Sequence, residues 1–218
     1  MTTNRYTIRA FEPADQATLD ACDFSFTTRQ VLNLRKTASL DLSIRWELTL
    51  RELEGQHMGN YGLADYDWEL VLQRGQTSPS LLNVAEFEGR PVALLDVSFE
   101  DWNETAKVWN LYVDVAHRGQ GVGRRLIQRA VEWARQPDHL ARALVVETQT
   151  NNVPACEFYK ANGFELSGID DHFYTNDDIN AKMGMGEVAL FWYLAIQPPA
   201  KANKDASNPG RIPAQDPA

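Results

Sequence analysis

The chain of 218 residues predicts an α/β fold in which a mixed sheet carries helices on both faces. Residues 81–88 and 91–99 are strand-like apolar runs separated by a short turn at Gly89, which indicates an antiparallel hairpin. After this hairpin, strand-like runs alternate with segments of helical periodicity. Because such alternation packs helices against a sheet, it favours an α/β arrangement. With 44% hydrophobic residues, a chain of this length can form one domain with a sizeable core.

The N-terminal part of the chain predicts only a few elements. Residues 6–11 alternate apolar and polar side chains, which predicts an opening strand. Pro13 is typical of a helix start, so we expect a first helix over residues 14–22. Residues 23–80 show no clear pattern, and the segment 43–53 within them fits either a strand or a helix.

The C-terminal half predicts four further strands. Residues 106–115 form an apolar, β-branched run that we expect to be the central strand, and residues 143–149 predict a second buried strand. Shorter strands are expected at 164–169 and 187–196, separated by a loop at 174–186.

Two helices are predicted between these strands. The first begins near Val122, because apolar residues recur there every fourth position, which is one face of a helix: Val122, Leu126, Ala130 and Ala134. The second is capped by Asn151 or Asn152, tolerates Pro154 in its first turn and ends at Gly163.

Composition excludes several classes of function. A formal net charge of -9 argues against nucleic acid as a partner, since phosphate binding needs a basic face. No apolar run is long enough to span a membrane and the first 30 residues lack a signal-like segment, so we expect no membrane and a cytoplasmic location. Cys22 and Cys156 are far apart, and the four histidines lack ligand spacing, so neither a disulfide nor a metal is expected.

A glycine-rich turn between the central strand and the next helix is the most informative segment. It reads Arg118-Gly119-Gln120-Gly121-Val122-Gly123. Such a turn aims backbone N–H groups at an anion, and the basic residues around it favour a bound pyrophosphate. The spacing is neither G-x-G-x-x-G nor a Gly-Lys-Ser/Thr loop. A tight turn with solvated arginines is the alternative.

A second motif follows in order along the chain. It reads Asn152-x-x-Ala155-x-x-Phe158-Tyr159-x-x-x-Gly163-Phe164. Together the two motifs resemble the signatures of the Gcn5-related N-acetyltransferase (GNAT) superfamily. Trp102-Asn103, the segment 147–159 and the segment 187–193 are similar to those of streptothricin acetyltransferases, and this likeness covers about residues 83–196.

The resemblance implies a GNAT fold: a mixed, mostly antiparallel sheet of six to seven strands, splayed between two central parallel strands. Residues 1–196 would form the acetyltransferase domain and the proline-rich residues 197–218 a disordered tail. Acetyl-CoA would be the co-substrate, with its pantetheine arm paired to the central strand and its pyrophosphate on the turn. The implied cofactor residues are Val113, Val115, Arg118, Gly119, Gln120, Gly121, Val122, Gly123, Arg124 and Asn152.

The same resemblance implies acetyl transfer to a primary amine of a small cationic molecule, as in streptothricin resistance. Tyr159 would protonate the CoA thiolate, or else is a packed aromatic on its helix. Related enzymes often carry an acidic residue late in the central strand, where this chain has Asn110, and an amide cannot act as a base. Carboxylates that could replace it border the expected cleft, namely Asp96, Glu100, Asp101, Glu104 and Glu147.

An acidic and aromatic cluster around Tyr61, Asp65 and Asp67 could bind a cationic amine, or could be a capped surface turn. Cys156 fits a small buried hydrophobic residue better than an acyl-cysteine site. A small-molecule amine is the expected partner, and a monomer and a homodimer both remain open. The alternatives are acetylation of a protein or peptide amine, and an acyl-CoA-binding sensor without turnover.

Overall fold

The computed structural model describes residues 5–39, 43–60, 68–174 and 187–196. Its main element is a seven-stranded sheet in the order β1-β4-β5-β6-β7-β9-β8, and strands β2 and β3 form a separate two-stranded ribbon. The strands are β1 (Tyr6–Ala10), β2 (Phe26–Ala38), β3 (Ile44–Gly59), β4 (Ser80–Phe87), β5 (Arg90–Glu100), β6 (Thr105–Val113), β7 (Ala143–Gln149), β8 (Glu165–Asp170) and β9 (Ala189–Ala195). The helices are α1 (Gln16–Asp20), α2 (Trp68–Thr77), α3 (Val122–Ala134) and α4 (Val153–Ala161).

Helices cover both faces of the main sheet, as the sequence predicted. Alternate residues of β5 point to opposite faces, so Leu94 packs with Leu19 of α1 and Trp68 of α2. Its neighbours Ala93 and Leu95 belong to the larger core on the other side. That core also holds one face of α3, formed by Val122, Leu126, Ile127, Ala130, Trp133 and Ala134.

The sheet is antiparallel except for the central pair, which confirms the predicted mixed, mostly antiparallel arrangement. Strands β6 and β7 are parallel and pair only from Thr105–Ala143 to Val108–Val146. Beyond Val108, β6 stays paired with β5, where Trp109 is an extra residue in the register and forms a bulge. Beyond Val146, β7 stays paired with β9. The two central strands therefore separate, and a cleft opens between them.

Several predicted elements change in extent. The ambiguous segment 43–53 is strand, and it belongs to β3, which pairs with β2 in a long antiparallel ribbon. The helix expected over 14–22 is a 3-10 turn at Pro13–Asp15 followed by the short α1. Neither β2 nor α2 was predicted, because their side chains lack a strict two- or four-residue period.

The ends of three predicted strands also shift. The central strand ends at Val113 and not at residue 115, because a 3-10 turn occupies Val115–His117. Strand β8 spans Glu165–Asp170, and β9 is shorter than the predicted 187–196. Residues 175–186 of the predicted loop and the tail 197–218 lie outside the described residues. None of the helices described is long and apolar enough to cross a membrane.

Candidate active site

The cleft between the splayed central strands is a cavity of about 650 Å³. Its walls come from the end of β6, the end of β7, the glycine turn before α3, and the first two turns of α4. This volume lies in the range of small-molecule and cofactor sites. The sequence motifs at residues 118–123 and 152–159 therefore meet at one cleft, although about 30 residues separate them along the chain.

Three glycines shape the turn at the entrance to α3. Gly119 and Gly121 have φ values of 71° and 81°, which residues other than glycine rarely adopt. A Cβ added at either position would meet nothing within 4 Å. A Cβ on Gly123 would lie 3.1 Å from the ring of Phe158, so this glycine permits close packing of α3 against α4. The turn thus presents backbone at the helix N-terminus to the cavity, where an anion is favoured.

The side chain of Arg118 stabilises this turn through two hydrogen bonds to backbone carbonyls. Its Nε donates to the carbonyl of Val113 at 2.9 Å, and its Nη1 donates to the carbonyl of Ser25 at 2.6 Å. Burial lowers the pKa of Arg118, while Asp23 and Asp114 act in the opposite direction. Arg118 lines the cavity, but two of its donors already hold the turn against β6 and against the segment before β2.

The remaining residues that the sequence predicts for the cofactor either line the cavity or lie just outside it. Gln120 lies outside the lining, where its Oε1 accepts from the Tyr6 hydroxyl at 2.8 Å. Val115 also lies outside, and its N–H donates to the carbonyl of Asp23 at 2.9 Å. Asn152 lines the cavity and caps α4, its Oδ1 accepting from Ala155 N–H at 3.1 Å. The lining includes Val113, Gly119, Gly121, Val122, Gly123 and Arg124.

Tyr159 is buried in α4 and faces the same cavity. Its ring packs edge-on against Phe158 and Phe164, with centroids 5.1 and 5.2 Å away. Burial is the main cause that raises the pKa of the Tyr159 phenol, with Tyr112 and Glu147 adding to the effect. The phenol therefore stays protonated at neutral pH and can donate a proton or a hydrogen bond into the cavity.

Glu147 is the only carboxylate among the cavity-lining residues that the structure describes. The Tyr174 hydroxyl donates to its Oε1 at 2.6 Å. Burial raises the pKa of Glu147, whereas the Tyr174 hydrogen bond and the charge of Lys107 lower it, and Glu187 raises it further. A carboxylate with a raised pKa is a stronger base than an exposed one.

The other predicted carboxylates lie elsewhere. Glu100 ends β5 and Asp101 lies in the turn that follows, at the end of the sheet away from the glycine turn, and neither lines the cavity. Glu104 is exposed in the same turn. Asp96 is 2% exposed and is held in an ion pair with Arg74. Among the five candidates, the structure brings only Glu147 into the cavity with Tyr159.

Tyr61, Asp65 and Asp67 fall outside the described residues. Sequence reasoning missed an aromatic wall of the cavity, to which Phe24, Phe26 and Trp109 contribute. Phe24 stacks on Tyr112 with centroids 5.3 Å apart. The aromatic residues themselves are visible in the sequence, but only the position of β2 beside the cleft gives them this role.

Cys156 lies outside the cavity lining, and its Sγ is 3.4 Å from Thr148 Oγ1. Burial raises its pKa to about 11, so the thiol is not a nucleophile at neutral pH. In the described part of the chain, no group of three or more histidine, cysteine or acidic residues could hold a metal ion.

The sequence profile of the acetyltransferase (GNAT) family matches residues 43–164, which is more than half of the chain. The chain belongs to this family. The match confirms the family predicted from the two motifs, and it includes the glycine turn, Glu147 and Tyr159.

Curated relatives of this GNAT chain include streptothricin acetyltransferases. It is 42% identical to a streptothricin acetyltransferase of Escherichia coli over 96 residues, which are 42% of this chain and 49% of the relative. It is 27% identical to one of Streptomyces lavendulae over 182 residues, which are 78% and 86% of the two chains. The chain thus spans about half the length of the Escherichia coli relative and most of the Streptomyces lavendulae one.

Solved structures of similar fold cover nearly the whole chain. A nourseothricin acetyltransferase superimposes with a TM-score of 0.70 at 28% identity, covering 89% of this chain and all of that one. A Bacillus anthracis protein in complex with acetyl coenzyme A gives a TM-score of 0.68 at 28% identity, covering 87% and 99%. These likenesses confirm the predicted GNAT fold.

Proposed function

We propose that this GNAT chain is an acetyl-CoA-dependent N-acetyltransferase that acts on a primary amine of a small cationic molecule. One observation carries the proposal. Tyr159 and Glu147, a proton donor and a proton acceptor, line the same cavity, and the N-terminus of α3 opens into it. A structure similar to this chain holds acetyl coenzyme A, which supports the same co-substrate here.

The cofactor binds along the cleft. Its pyrophosphate lies on the backbone N–H groups from Gln120 to Arg124, where the helix dipole favours an anion. Its pantetheine arm pairs with the edge of β6 after Val108, which has no β7 partner in this part of the sheet. Asn152 and Val113 border the arm from either side.

Acetyl transfer then needs two protons to leave the amine and one to reach the departing thiolate. The acceptor amine, with a lysine-like pKa of about 10.4, must lose a proton before it attacks the thioester carbonyl. Glu147 takes this proton through a water molecule, the neutral amine attacks and a C–N bond forms, and the attacking nitrogen then releases its second proton to solvent. A backbone N–H of β6 stabilises the oxyanion. When the C–S bond breaks, Tyr159 gives its proton to the departing thiolate and regains one from solvent.

The acceptor is a multiply cationic small molecule of the streptothricin class. Three features support this substrate. Two relatives are named for streptothricin, and a similar solved structure is named for nourseothricin. The cavity combines the Glu147 carboxylate with the rings of Phe24 and Phe26, a surface that favours ammonium groups. The whole chain carries a formal net charge of -9, which attracts cations.

The test compares kcat/KM for four acceptors, namely streptothricin, a lysine-type diamine, a neutral arylamine and a peptide N-terminus, at low and high salt. We expect streptothricin to be the best substrate and its KM to rise with salt, because exposed charges are screened over about 10 Å at 0.1 M. A salt-independent preference for the peptide would instead support a protein or peptide acetyltransferase. CoA binding without thiol release from any amine would support a non-catalytic sensor.

A further inference from the structure

Tyr174 lies in the turn after β8, but its hydroxyl reaches the floor of the cavity on β7. It donates to Oε1 of Glu147 at 2.6 Å and accepts from Nε2 of Gln149 at 2.8 Å. Glu147 and Gln149 are two residues apart on one strand, so their side chains leave the same face of the sheet. Both line the cavity.

The turn that carries Tyr174 is itself anchored. Phe173 packs edge-on against Phe191 of β9 with centroids 5.7 Å apart, and it packs against the Tyr174 ring at 5.1 Å. A phenol has few rotatable bonds, so a packed ring fixes the direction in which its hydroxyl donates. The hydrogen bond occupies Oε1 of Glu147, which leaves the lone pairs of the other carboxylate oxygen for a water molecule or an ammonium group.

We propose that Tyr174 is a positioning residue of the reaction, which fixes the Glu147 carboxylate so that it can accept the proton of the acceptor amine, with Gln149 orienting the Tyr174 hydroxyl. The inference rests on the function proposed above. It adds a residue that neither sequence motif contains, and it assigns Gln149 a part in the site.

Besides Tyr174, the charged and titratable groups that interact with Glu147 lie on β6, on α4 and just before β9. Lys107 of β6 stabilises its anionic form, and Glu187, which precedes β9, disfavours it. The negative charge of Glu147 also contributes to raising the pKa of three weak acids, namely Tyr112, Tyr159 and Cys156. Among the interactions that the structure describes, only the Tyr174 hydroxyl donates a hydrogen bond to the Glu147 carboxylate. The direction in which the pKa of Glu147 moves when this hydroxyl is removed can therefore be predicted. Without this donor the pKa of Glu147 rises further.

The test compares Tyr174→Phe with the wild type and with Tyr193→Phe, a matched change on β9. We would measure kcat/KM for an amine between pH 5 and 9, and would follow Glu147 directly by ¹³C NMR of labelled glutamate side chains. Glu147→Gln identifies its signal. We expect Tyr174→Phe to move the acidic limb of the profile and the NMR titration upward by about one pH unit, the scale of a hydrogen bond to a charged group. The KM of Tyr174→Phe for acetyl-CoA should equal that of the wild type, and the pH profile of Tyr193→Phe should match the wild-type profile.

If the NMR titration of Glu147 is unchanged in Tyr174→Phe, the proposal is wrong. It is also wrong if the NMR titration shifts but the acidic limb of the kcat/KM profile does not. The two measurements also separate this inference from the function on which it rests. If the wild type turns over no amine, the acetyltransferase proposal fails, and with it the role of Tyr174 in catalysis. The NMR titration would still show whether Tyr174 controls the charge of Glu147.

Discussion

Asn110 donates a hydrogen bond from its side-chain amide to Oδ2 of Asp96 at 3.2 Å, across the paired strands β5 and β6. Arg74 of α2 binds the same carboxylate oxygen. The resemblance to streptothricin acetyltransferases implies an acidic residue close to position 110. In this chain the acid lies on the neighbouring strand, buried and neutralised, and the amide at 110 supports it. In the function proposed above the base therefore comes from elsewhere, and among the cavity-lining residues that the structure describes Glu147 is the one carboxylate.

Asn110→Asp should destabilise the protein without raising kcat. It replaces a hydrogen-bond donor to Asp96 by a second carboxylate, and like charges so close cannot both ionise easily. We expect a loss of about 2 kcal/mol in the free energy of unfolding at pH 7, since a buried carboxylate loses one of its partners. Denaturant unfolding measures it. Asn83→Asp, at a buried position on β4, should cost less because Arg129 donates to Asn83 at 3.3 Å. A higher kcat in Asn110→Asp would show that an acid at position 110 can still act as the base.

Gly121→Asp should abolish CoA binding and leave the protein folded. The change adds a negative charge where the pyrophosphate is expected and a side chain at a φ of 81°. Gly89→Asp is the matched control, because Gly89 has the same φ and equally open surroundings in the β4–β5 turn. Both variants should lose about 1–2 kcal/mol of stability from the left-handed backbone. Calorimetry with CoA should separate them, and equal affinity in both would contradict the pyrophosphate assignment.

Tyr159→Phe should lower kcat by about 100-fold, the scale of general acid catalysis, with little change in acetyl-CoA affinity. The ring and its packing against Phe158 and Phe164 remain, so the melting temperature should stay close to that of the wild type. Steady-state thiol release and calorimetry measure the two effects. A kcat within twofold of the wild type would return Tyr159 to a packing role alone.

Asp15→Asn should lose stability at neutral pH but not in strong acid. The hydrogen bond from Arg9 is the main cause that lowers the pKa of Asp15, and the Glu12 N–H also donates to this carboxylate. A carboxyl whose folded pKa lies below its ordinary value of 3.8 stabilises the fold above that value. This stabilisation disappears as the pH falls through the lowered pKa.

We therefore expect Asp15→Asn to cost about 1–3 kcal/mol at pH 7, the scale of hydrogen bonds to a charged group, and progressively less as the pH falls below 3.8. Unfolding in urea across this pH range checks the prediction. Glu88→Gln is the control, because the Arg5–Glu88 pair is exposed on both sides and such pairs contribute little. A constant difference between Asp15→Asn and the wild type at all pH values would contradict the assignment to Asp15 ionisation.

The sequence by itself determined the parts of this protein that depend on neighbouring residues. The central strand, the turn at Gly119 and Gly121 and the start of α3 follow one another directly, so backbone preference and helical period were enough to predict them. The same holds for the cap at Asn152 and the helix it begins. These local patterns also carried the family resemblance, and with it the expected acetyl-CoA site.

Only the tertiary structure decided which side chains meet across the cleft. Asp96 and Asn110 face each other because of the strand register at the Trp109 bulge, and Tyr174 reaches Glu147 from a turn 27 residues away. Such pairings depend on register and on loop closure, which no local pattern in the sequence specifies. The sequence therefore predicted five candidate carboxylates for the base. The fold brought one of them, Glu147, into the cavity that Tyr159 also lines.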